Sequence, residues 1–154
     1  LSMKKYVFIT ALAVLAASCS NADTTHEMLG LVAQAVTESV TGIKRLEEDL
    51  KTVRFVGEAQ KNLDAYVKET GALRKRLRDI SSQYSKKAKN ADQIKSGLRT
   101  EMQRYLEATR KYAQAIGRLP ANILADAKFK AQTQLLFHTK KAWNPGKMTM
   151  GTNK

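Results

Sequence analysis

Apolar residues recur along most of this chain at steps of three and four. Leu29, Val32, Val36, Val40, Ile43, Leu46, Leu50 and Val53 fall on one stripe of a helix, because a 3.6-residue period brings such positions to one face. Thr24 followed three residues later by Glu27 reads as a capping box that opens this helix, and Gly57 reads as its end. A second stripe, Leu63, Tyr66, Thr70, Leu73, Leu77, Ile80 and Tyr84, keeps strict heptad spacing. The polar run from Lys86 to Gln93 interrupts it. A third helix carries Ile94, Leu98, Met102, Tyr105, Thr109, Tyr112 and Ile116 and stops at Gly117, with Arg110, Lys111 and Arg118 near its negative dipole end and Pro120 just beyond. Ile123, Leu124, Phe129, Leu135, Leu136 and Phe137 suit a shorter fourth helix.

One heptad column, at 63, 70, 77, 84, 91, 98, 105, 112 and 119, runs straight through the polar break. The second and third helices are therefore compatible with a single rod of about 60 residues and roughly 90 Å. The companion column fails, since Lys87 and Glu101 occupy it and Met102 takes over one step later. That failure favours a hairpin near 87–92, where a short connection joins antiparallel neighbours. The expected fold class is all-α: an antiparallel helical bundle or helical hairpin with coiled-coil-like heptads, after an N-terminal signal peptide. Residues 19–137 form the helical domain and 138–154 a flexible basic tail.

The N-terminus reads as an address. Lys4 and Lys5 precede an apolar run from Tyr6 to Ala17, followed by the small residues Ser18 and Cys19, the order of an export signal. The apolar run is well short of the roughly 20 residues that cross a bilayer. Leu15, Ala16, Ala17, Ser18 and Cys19 together resemble the lipobox of bacterial lipoproteins, with the leucine one place further from the cysteine than is usual. The resemblance implies removal of residues 1–18, a lipid anchor on Cys19 and, with Ser20 next, outer-membrane sorting toward the periplasm. A cut after Ala22, which releases a soluble periplasmic or secreted protein, stays open, because Ser20 and Ala22 are the small residues an ordinary signal peptidase reads. Cys19 is the single cysteine, so an internal disulfide is excluded.

Charge sharpens the picture. The formal net charge is +13, and it is unevenly spread: 23–69 hold six bases and nine acids, 74–118 thirteen bases and four acids. Arg74, Lys75, Arg76 and Arg78, with Lys86, Lys87 and Lys89 about three turns on, suit an anionic partner. In an exported protein that partner is an envelope surface or polymer, or an acidic protein, ahead of nucleic acid. Catalytic motifs are missing. His26-Glu27 lacks the second histidine of a metalloprotease, His138 is remote, and no Gly-rich phosphate loop or nucleophile elbow surrounds Ser81, Ser82, Ser85 or Ser96. Glu47, Glu48 and Asp49 read as a solvated charge cluster. Tyr66, Tyr84, Tyr105 and Tyr112 read as core aromatics with a polar tip, base stacking being the alternative.

The expectation is a non-enzymatic envelope lipoprotein without cofactor, metal or small-molecule substrate, a structural or adaptor subunit of an assembly such as a secretion or conjugation apparatus. The alternative is a soluble periplasmic chaperone or a binder of anionic polymers, nucleic acid included.

Overall fold

The computed structural model describes residues 22–84 and 91–137. Three long helices dominate: α1 (Ala22–Asp49), α2 (Val56–Tyr84) and α3 (Ala91–Gly117), followed by a single turn α4 (Ala121–Leu124) and a short α5 (Ala127–Phe137). The fold is all-α, and no strand occurs among the described residues. The apolar stripes become the core. Val32, Val36 and Ile43 of α1, Leu63, Leu73 and Leu77 of α2, and Leu98, Tyr112 and Ile116 of α3 are all buried, with Ile123 and Phe129 closing the lower end.

Chain direction alternates. Arg76 of α2 reaches Glu38 of α1, and Asn62 reaches Leu46, so α2 descends beside the rising α1. Tyr66 of α2 lies on Tyr112 of α3, with ring centroids 4.1 Å apart. In one rod these two residues would stand about 70 Å apart, so the chain reverses between Tyr84 and Ala91. The hairpin is the fold, and residues 85–90 that connect it lie outside the described set. α3 therefore runs parallel to α1, as Arg104 beside Thr37 requires.

The three contacts between long helices differ in kind. α1 packs closely against both α2 and α3. Glycines allow this: a β-carbon on Gly97 would come within 3.0 Å of Leu29, and one on Gly42 within 2.9 Å of the Glu69 carboxyl. α2 and α3 stand further apart and meet through long side chains, chiefly the tyrosines. α5 lies over the lower part of the seam they leave. Its Gln132 bonds Gln60 at 2.6 Å, and Phe137 leans on Tyr66 and Tyr112 at 5.8 and 6.2 Å.

Three boundaries differ from the expectation. α1 already runs at Ala22, so Thr24 lies inside it rather than at its cap. It ends at Asp49, not near Gly57. The apolar stripe continues through Leu50 and Val53, but these sit on a 3-10 turn (Leu50–Thr52) and an extended residue, Val53 at φ −68°, ψ 129°. The Glu58 carboxylate then accepts the backbone N–H groups of Arg54 and Phe55 at 3.0 and 3.3 Å, which starts α2 and leaves Gly57 within its first turn. The fourth helix is broken in two. Asp126 accepts the N–H of Phe129 at 2.9 Å and so caps a new helix.

Candidate anion-binding surface

The basic cluster of α2 is divided by helix geometry. Steps of 100° per residue place Arg74 and Arg78 on one edge, Lys75 beside them, and Arg76 on the far side. Arg76 faces α1 and forms an ion pair with Glu38, whose carboxyl is held below its usual range by the hydrogen bond from Arg76, then by one from Gln34. The other three turn away from α1. Lys75 and Arg78 are exposed, and Arg74 is half-buried, lying close enough to Tyr105 of α3 to act on its hydroxyl. Cys19, Lys86, Lys87 and Lys89 lie outside the described residues.

Across the seam the structure adds Arg99. It is exposed on α3, and the antiparallel register that sets Tyr66 on Tyr112 brings it level with Arg78. Sequence order alone separates the two by more than 20 residues, so only the hairpin register reveals them as neighbours. Among the described residues no carboxylate pairs with Arg74, Lys75, Arg78 or Arg99. Most acids of this region point elsewhere: Glu69 lies against Gly42 of α1 and Glu38 holds Arg76, while Asp79, four residues on from Lys75, shares the outer face of α2 with that lysine. Among the described residues the upper α2–α3 edge thus carries Arg74, Arg78 and Arg99 with no carboxylate paired to them. Lower down the pattern changes, because Glu107 pairs with Arg110 at 2.6 Å and reaches Lys111 at 3.8 Å.

Beneath the cations lies a half-buried floor of Val67, Gly71, Met102 and Leu106. Thr70 and Thr109 stand beside it, but their hydroxyls donate to the carbonyls of Val67 and Leu106 at 3.1 and 2.9 Å. With those polar groups satisfied internally, the floor is apolar in effect.

The tyrosines are part of the scaffold and not of this surface. Tyr66, Tyr84, Tyr105 and Tyr112 are all buried, which removes them as a platform for stacking bases. The Tyr112 hydroxyl donates to Asn62 Oδ1 at 2.7 Å, while Asn62 Nδ2 donates to the Leu46 carbonyl at 2.9 Å. That carbonyl belongs to the last turn of α1, where helical partners run out. One buried amide therefore ties all three long helices. Burial pushes the hydroxyls of Tyr66 and Tyr112 far above their usual range, and that of Tyr105 to about 12.

Among the described residues no group of three or more His, Cys, Asp or Glu residues is placed to hold a metal ion, and no helix is long and apolar enough to cross a membrane. Glu48 of the acidic cluster is spent on Lys51 at 2.6 Å. Two open clefts of about 300 and 440 Å³ flank Arg118 at the lower end, the larger lined by Ile116, Leu124 and Phe137. No protein-family model, no curated protein and no solved structure matches this chain.

Proposed function

We propose that this chain is a non-enzymatic envelope protein, exported and tethered through Cys19, that works as a structural or adaptor subunit of a membrane-associated assembly such as a secretion or conjugation apparatus. The observation that supports a binding role is the surface of Arg74, Lys75, Arg78 and Arg99, where cations gather on the α2–α3 edge and, among the described residues, no carboxylate forms an ion pair with them. Unpaired like charges held together on rigid helices repel one another, and an anionic partner relieves that repulsion. The lipobox-like run at Leu15–Cys19 supports the tether, and a basic face adds an electrostatic contact to such an anchor.

Fractionation and crosslinking in the native host test both parts. Cys19→Ala is expected to abolish lipid labelling and membrane association, and unchanged fractionation would reject the tether. Neutralising Arg74, Lys75, Arg78 and Arg99 to Gln is expected to remove the main crosslinked partner. Its retention would leave these residues as ordinary surface. The second reading, a diffusing chaperone or anionic-polymer binder, draws on the same excess of positive charge. It requires processing after Ala22, and for nucleic acid an affinity that falls steeply as salt rises.

A further inference from the structure

The geometry points to a specific occupant for this surface: the seam between α2 and α3 above Phe137 is a docking site for an acidic amphipathic helix of a partner protein, laid end to end with α5. The inference rests on the reading of the basic surface as the binding face and names what that face takes.

The seam already holds one helix. α5 occupies its lower part, with Gln132 near Gln60 and Asp64 and with Phe137 against the Tyr66–Tyr112 stack. Above Phe137 the same edges continue, on α2 through Val67, Gly71, Arg74 and Arg78 and on α3 through Leu106, Met102 and Arg99. From Tyr66 to the end of α2 at Tyr84 the edge runs about 27 Å, room for a helix of about 18 residues at 1.5 Å each. The floor is apolar, and the rim is cationic. An amphipathic helix with an apolar stripe and acidic flanks matches both at once.

Gly71 supports the same occupant. A glycine in a helix interior loses about 0.5–1 kcal/mol relative to alanine, and here it leaves the edge of the seam without a side chain. Among the described residues nothing approaches it closely: a β-carbon there would meet only the Arg74 guanidinium, at an ordinary 3.7 Å. A helix seated in the seam would come nearest the floor at this point.

Two rivals fit less well. Residues 138–154 begin where α5 ends, but they carry four lysines and no acid, the same sign as the rim. An anionic bilayer has the right sign but presents a plane, while Val67, Gly71 and Leu106 lie between the two helices and are met only by a narrow ridge.

The full chain can be titrated with a fluorescent 18-residue helical peptide carrying Leu at i, i+3, i+4 and i+7 repeats and Glu on the flanks, and with its Lys-for-Glu counterpart. The Glu peptide is expected to bind and to shift backbone amide resonances of 67–78 and 99–109, and the Lys peptide to leave them unchanged. Neutralising Arg74, Arg78 and Arg99 to Gln should weaken binding about tenfold or more, by the usual size of several rim-charge effects. Gly71→Leu, which favours the helix and fills the floor, should weaken it as much without lowering the melting temperature. Lys111→Gln, outside the seam, should not.

Equal binding of both peptides, no binding, or indifference to Gly71→Leu would overturn the inference. Removal of 138–154 that shifts the same amides in the absence of peptide would give the seam to the chain's own tail. Phosphatidylglycerol vesicles that engage these amides when the Glu peptide does not would give it to the membrane. If the peptide fails while an anionic partner still crosslinks through the same cations, the docked helix is wrong and the proposed function stands.

Discussion

Asn62 concentrates more consequences than any other polar side chain described. Its amide gives the last turn of α1 a donor and accepts a hydrogen bond from the Tyr112 hydroxyl, so truncation orphans two buried groups at once. Such losses cost about 1–3 kcal/mol each when no water replaces the partner. Asn62→Leu is therefore expected to lower stability by roughly 2–4 kcal/mol in denaturant unfolding. Tyr112→Phe, which keeps the stacked ring and removes only the hydroxyl, should cost about 1–2 kcal/mol. If both variants unfold like the parent, the tie contributes nothing. Phe55 is the opposite case. It stands at the residue before α2, where Ser, Thr, Asp or Asn would supply a cap, and its ring is 69% exposed. Phe55→Ser is expected to stabilise the bundle by about 0.5–1 kcal/mol, read as a higher unfolding midpoint with an unchanged slope.

At the scale of elements, α5 depends on its first turn. Phe129 is its one buried side chain, and its start is fixed by the Asp126 carboxylate. Asp126→Ala should cost about 1 kcal/mol and speed amide exchange across 127–137 before the long helices respond. Uniform exchange across the molecule would show that α5 is not a separate unit. The helices themselves were legible from the spacing of apolar residues, and Val32, Val36, Ile43, Leu63 and Leu77 are buried as that spacing requires. Their ends were harder to read. Leu50 and Val53 prolong the apolar stripe of α1 although the backbone has left the α conformation, because burial selects side chains and is blind to the local hydrogen-bond pattern. Asp126 was a readable cap signal within an apolar run. The candidate surface was half legible: Arg74, Lys75 and Arg78 are neighbours in sequence, but Arg99 joins them only through the hairpin register, and Arg76 leaves them because Glu38 of another helix claims it.

The whole molecule is electrically lopsided. α1 carries Asp23, Glu27, Glu38, Glu47, Glu48 and Asp49 against Lys44 and Arg45, while α2, α3 and α5 are each net basic. The attraction between α1 and its two neighbours reinforces an apolar interface and weakens with added salt. The alkaline limit has a different origin. Tyr66, Tyr105 and Tyr112 hold their protons in the folded state because burial disfavours the phenolate. In the unfolded chain they release them near pH 10. Below that pH their contribution is complete, and it is lost as pH rises toward the folded values. Stability should therefore be insensitive to these groups up to about pH 10 and fall above it by about 1.4 kcal/mol per pH unit for each tyrosine that stays protonated only when folded. Denaturant melts between pH 9 and 12, with tyrosinate absorbance followed alongside, check this. Phenolate signals appearing near pH 10 without unfolding would mean that the rings are accessible.

The stack of Tyr66 on Tyr112 also acts at a distance, as a thickness gauge. Two rings laid flat between α2 and α3, 4.1 Å centroid to centroid and 3° from parallel, keep the two backbones from closing to the spacing that α1 adopts with each of them. Shaving both rings to leucine would let the pair slide inward along its whole length. The gap above, about 10–15 Å up the same two helices at the usual rise per residue, would narrow with it, so side chains that never touch a visitor decide how wide a visitor can be.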